Sequence, residues 1–165
     1  MKGYNVKPII LTMLVALVLS PSAKADELFS DAEKAEMMQL TLKHFWGKAI
    51  DSKGDPVQPA DEKERTTVPI SKQQAHYLIN KGGESGLAQW CGVDWQERYL
   101  LMLQQLRMHM KNDKQTAYSG VLHGVAQQTL AASLKGEPCD RDTSKQVATL
   151  MKQDIENLKR SLKAQ

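Results

Sequence analysis

The chain of 165 residues is poor in cysteine, with two, and in aromatic side chains, at 5%. Sustained alternation of apolar and polar residues is missing, which argues against β-strands. No H-E-x-x-H pair, G-x-S-x-G elbow or C-x-x-C motif occurs, so the usual grammars of zinc, serine and thiol chemistry are absent. Basic residues interleaved with aromatics are missing too, and with them the footprint expected of a nucleic-acid binder. Beyond one N-terminal stretch there is no long apolar run, which excludes a multi-span membrane protein.

That stretch, Ile9 to Leu19, follows Lys2 and Lys7 and precedes Pro21 and the small-x-small pattern Ala23-Lys24-Ala25. This is the pattern of a secretory signal peptide over residues 1–25, cleaved after Ala25, and it implies export to the periplasm. The run falls short of the roughly 20 apolar residues that a membrane-spanning helix needs. After cleavage no transmembrane segment is expected, and the lack of a following cysteine argues against a lipid anchor. The precursor has a formal net charge of +3, and removing three lysines and no acid leaves 19 basic against 19 acidic residues. A balanced mature chain turns the expectation away from nucleic acid and towards protein partners.

In an oxidising compartment the simplest fate of Cys91 and Cys139 is one disulfide. On the chain-entropy model, closing that loop stabilises the fold by about 4 kcal/mol. Metal-ligating and redox pairs are the rival readings, and no ligand spacing supports them. Trp90 and Trp95 flank Cys91, either packing over the disulfide or forming a partner surface.

Helical grammar runs through the remainder. Ser30 with Glu33 makes a capping box, and residues 26–50 carry Ala35, Met38, Leu42, Phe45, Trp46 and Ala49 at three- and four-residue steps. Residues 51–67 hold Gly54, Pro56 and Pro59 among charged side chains and read as a flexible polar linker. The compact, disulfide-stapled domain is then expected over residues 68–165, with the first helix docking back or serving as an arm.

Within that domain, Ser71 and Gln74 open a short helix that Gly82 and Gly83 should end. Asp94 and Glu97 open a strong helix with Trp95, Tyr99, Met102, Leu103, Leu106 and Met110 inward. Asp113 caps the next, whose inner face reads Ala117, Val121, Leu122, Val125, Ala126 and Leu130. Gly120 and Gly124 on that helix predict close backbone approach by a neighbour, since each glycine costs about 1 kcal/mol there relative to alanine. Asp142 or Thr143 opens the last helix, with Val147, Leu150, Met151, Ile155, Leu158 and Leu162 inward. The fold class expected is therefore all-α, a small bundle of four to five helices with one disulfide.

Residues with chemical potential are few. Met108, His109 and Met110 suggest copper, but adjacent helical positions point about 100° apart and do not converge on one ion. Ser119 and His123 stand one helical turn apart without an orienting acid or an oxyanion hole. No catalytic residue, cofactor or metal is expected.

Trp90-Cys91, Asp94 before a helix, Cys139, and a lysine-rich final helix from about Thr143 to Lys163 together resemble the HdeA-type periplasmic acid-stress chaperones. The same layout over residues 90–165 is similar to the helical periplasmic immunity proteins paired with secreted toxins. The resemblance implies a non-enzymatic protein that binds other periplasmic proteins, as a chaperone under acid or envelope stress or as a toxin's inhibitor. An envelope-assembly accessory role is a further reading, and an enzyme or metal handler the least favoured. Strong acid would neutralise the carboxylates and leave a cationic, self-repelling chain, which fits the chaperone reading.

Overall fold

The computed structural model describes residues 28–164. The expected signal peptide and its cleavage site lie outside them. The described chain is all-α, with six helices in the order α1 (Asp31–Phe45), α2 (Glu62–Thr66), α3 (Lys72–Trp90), α4 (Gln96–His109), α5 (Asp113–Ser133) and α6 (Arg141–Lys163).

Both capping boxes form, at Ser30 with Glu33 and at Ser71 with Gln74. The other starts lie within a few residues of expectation. Asn112 rather than Asp113 caps α5, and Asp140 caps α6 by accepting from the backbone N–H groups of Asp142 and Thr143. Asp94 accepts from Gln96 N at 2.8 Å, so it holds the start of α4 one residue outside the formal cap.

Helix α1 ends at Phe45 rather than near Ile50. Trp46 is extended, and Gly47 at φ 73° takes the chain into a tight return where its N–H meets Val57 O. Residues 51–67, expected as a flexible linker, fold back onto the bundle. Val57 is buried, Trp46 Nε1 donates to Arg65 O at 3.0 Å, and Lys114 Nζ meets Glu64 at 2.8 Å. One core takes Phe29, Met37, Leu42 and Phe45 from before that stretch and Ile70, Leu78, Tyr118 and Leu122 from after it. A single buried valine and a few tertiary bonds suffice to fasten a short return of polar composition.

The largest departure is in α3, which runs straight through Gly82 and Gly83 to Trp90. A β-carbon on Gly82 would stand 2.4 Å from His123 O, and one on Gly86 would stand 2.6 Å from Gln127 O. Glycine is there to let α5 come backbone to backbone, and the hydrogen-bonded ladder of a packed helix overrides its local tendency to terminate. The close approach expected at Gly120 and Gly124 therefore belongs to α3. Gly120 meets only Tyr99 Oη and a Leu103 methyl at 3.2 and 3.6 Å, and Gly124 faces nothing within 4 Å.

Contacts between Ser85 and His123 and between Gln89 and Gln127 advance in the same sense, so α3 and α5 run parallel. Arg98 to Asp154 and Gln105 to Ser161 show that α4 and α6 also run parallel. The second pair points opposite to the first, because α4 returns along α3. This places the end of α3 beside the start of α6, where Cys91 and Cys139 are joined. The disulfide thus links the C-terminus of α3 to the N-terminus of α6.

Candidate functional site

Four helices meet at a buried cluster of charged and polar side chains. Lys81, Glu84 and Ser85 share one face of α3 through their three- and four-residue spacing. Helix α4 contributes Arg98, α5 contributes His123 and α6 contributes Asp154. Arg98 is 1% exposed, and its Nη1 donates to Glu84 at 2.5 Å and to Asp154 at 3.1 Å. Its Nη2 donates to Lys81 O and, at 3.2 Å, to Ser85 Oγ. Lys81 Nζ completes the ring with contacts of 2.9 Å to both Glu84 and Asp154. Two cations thus face two carboxylates in a region largely closed to water, where an unpaired charge would cost several kcal/mol, on the order of 3–5.

His123 is fully buried against this ring, with Nε2 3.1 Å from Ser85 Oγ and its ring 4.8 Å from that of Tyr99. Arg98 also donates to Ser85 Oγ, so one hydroxyl ties the guanidinium to the imidazole. Burial lowers the His123 pKa to about 3, the positive charge of Arg98 adds to the effect, and the Lys81 backbone partly opposes it. For Lys81, burial disfavours the charge, but Glu84 and Asp154 outweigh it and the pKa is raised.

A serine beside a histidine invites a nucleophilic reading, which the geometry counters. Ser85 and His123 are wholly enclosed, and the neighbouring guanidinium disfavours the imidazolium that a general base must become. Ser119, the serine that the sequence pairs with His123, instead donates along its own helix to Gln115 O at 2.7 Å. Met108 is half exposed while Met110 packs against the core, so the Met-His-Met run does not converge. Among the described residues no three His, Cys, Asp or Glu side chains stand together as a metal site.

The disulfide region is a separate, smaller assembly. Ala88, Val147 and Met151 form a satellite core, with Leu87, Cys91, Val93, Trp95 and Leu150 packed against it. Trp95 therefore belongs to the packing around Cys91. Trp90 is half-buried, and its Nε1 donates to Glu137 O at 2.8 Å, fastening the loop that carries Cys139.

Two clefts open beside the ionic ring. One, of about 280 Å³, lies between α3, α4 and α6 with Tyr77, Lys81, Arg98, Met102 and Asp154 in its walls. The other, also about 280 Å³, is lined chiefly by Tyr77, Leu78, Leu106 and Met110. Tyr77 belongs to both and is half exposed, so the clefts adjoin. The ionic ring escapes a reading based on composition, yet it left a trace. Arg98 occupies an inward position between Trp95 and Met102, and Asp154 continues the four-three-four spacing of Val147, Met151 and Leu158. Among the described residues no helix is long and apolar enough to cross a membrane. No protein-family model matches the chain, and neither the curated proteins nor the solved structures give a match.

Proposed function

We propose that this chain is an exported, non-enzymatic protein-binding protein of the periplasm, acting as a chaperone when acid loosens its bundle. The observation that carries the reading is the burial of Arg98, Glu84 and His123 where four helices meet. In acid His123 gains a proton only by leaving the core, because burial and the Arg98 charge disfavour its imidazolium. That weakens the junction, and the helices around it hold Leu78, Met102 and Leu122 as latent client-binding surface. The disulfide would keep the loosened chain compact. The cleft lined by Tyr77, Leu78, Leu106 and Met110 adds an apolar surface present at neutral pH.

The test is light scattering by an aggregating client, with the disulfide-bonded protein added at about pH 2 and at neutral pH, so that the lowered His123 pKa lies between the two conditions. Suppression confined to acid supports the proposal. Failure to suppress aggregation in acid removes it. Stoichiometric capture of one secreted toxin at neutral pH would replace it with the immunity reading, and capture of an envelope-assembly component would favour the accessory role.

A further inference from the structure

The two halves of α6 are attached by different means. Residues 141–151 carry the buried Val147 and Met151 and begin two residues after Cys139, which is bonded to Cys91. Beyond Met151 no described side chain of the helix is buried. That second half is held by Asp154 in the ionic ring and by Leu158 at the edge of the main core. Ile155 and Leu162 are only half-buried, and an exposed Lys159–Glu97 pair at 2.6 Å and a Gln105–Ser161 hydrogen bond at 3.0 Å add to its attachments. Exposed ion pairs of this kind contribute little, so Asp154 dominates.

From this asymmetry we infer that residues 152–163 form a strap that opens while the rest of the bundle stays folded, pivoting on the disulfide-anchored half and latched by Asp154 between Lys81 and Arg98. Opening does not leave the ring without an anion. Glu84 still faces both cations, Asp154 passes into water, and Lys81 gains solvent. The position that Asp154 vacates is flanked by two cations and floored by Met102. It therefore fits a partner peptide that offers a carboxylate next to an apolar side chain, which is what Asp154 and Leu158 present in the closed form. The inference goes beyond the proposed chaperone role and stands or falls without it.

Native-state hydrogen exchange of the disulfide-bonded protein in low urea tests it. A strap gives amides of residues 155–163 one shared opening with weak urea dependence, separated by a step from residues 141–151. Asp154→Asn should speed exchange in that segment about tenfold and leave α5 within about twofold, while Glu97→Gln changes it by less than about twofold. Ordinary fraying would instead rise smoothly towards Lys163 and ignore Asp154, and that profile overturns the inference. So does exchange of all α6 in step with α5, or an equal loss of protection in every helix of Asp154→Asn. Should that variant fail to fold, the wild-type profile alone decides.

Discussion

Helix α3 meets its neighbours by opposite means. Towards α5 it presents Gly82 and Gly86, so that backbone approaches backbone, with only neutral hydrogen bonds, Ser85 to His123 and Gln89 to Gln127, between them. Towards α4 and α6 it presents Lys81 and Glu84, and contact depends on four charges arranged in a ring. At Gly82 and Gly86 the first contact is set by shape and is intolerant of one added carbon, while His123 beside them answers to pH. The second tolerates small changes of shape but responds to any change of charge. One helix thus carries both what geometry fixes and what the solvent can adjust.

Acidification should have the largest effect, acting through His123, which α5 holds against Ser85 and the ionic ring of Arg98. The His123 pKa is lowered from 6.5 to about 3 in the folded state, so its contribution is fully present above pH 6.5 and is lost as pH falls towards 3. The loss amounts to roughly 5 kcal/mol as an order of magnitude. Urea midpoints measured across that window should fall steeply for the wild type and less for His123→Gln; parallel curves would refute the assignment.

Arg98→Met comes next, with an expected loss of about 3–5 kcal/mol because Glu84 is left buried with its principal partner gone. Adding Glu84→Leu should recover much of that loss, as a double-mutant cycle would show. On the glycine side, Gly82→Ala should cost about 1–3 kcal/mol despite alanine's better helix propensity, since its β-carbon meets the His123 carbonyl. That loss should be the same at neutral and moderately acidic pH, and a strongly pH-dependent loss would mean that the two sides of α3 are not separable. The smallest effect has the opposite sign. Gly124→Ala, in open space on α5, should stabilise by about 0.5–1 kcal/mol in thermal or chemical melts.

How much of this was legible in the sequence follows from what each signal depends on. The boxes at Ser30 and Ser71 are local, four-residue arrangements, and they form as read. Cys91 and Cys139 had one intramolecular pairing available. By contrast, Gly82 and Gly83 have the same local preference whether they end a helix or line a crossing, and only the position of α5 distinguishes the two. The inner face of α5 shows the same limit. The expected stripe of Ala117, Val121, Leu122, Val125, Ala126 and Leu130 does lie in or against the core, but Tyr118, Ser119, His123 and Gln127 are buried beside it and gave no apolar signal. Polar side chains entered the core because partners on α1, α3 and α4 were waiting for them, and such partners are invisible along a single helix. The charged cluster was hidden for the same reason, although Arg98 and Asp154 at inward positions were its available clue.

The glycine notch also bears on ancestry. Over most of α3 and α5 a mutation can be absorbed by a neighbouring side chain, and sequences sharing this fold are free to drift apart until resemblance is lost. At positions 82 and 86 the nearest atoms on the opposite helix are the carbonyl oxygens of His123 and Gln127, with the β-carbons of Ala126 and Leu130 close behind, and none of these can swing aside. A descendant that kept the crossing would have to keep very small residues there, followed by a cysteine five positions after the second. Those three positions are where kinship to this chain would persist longest.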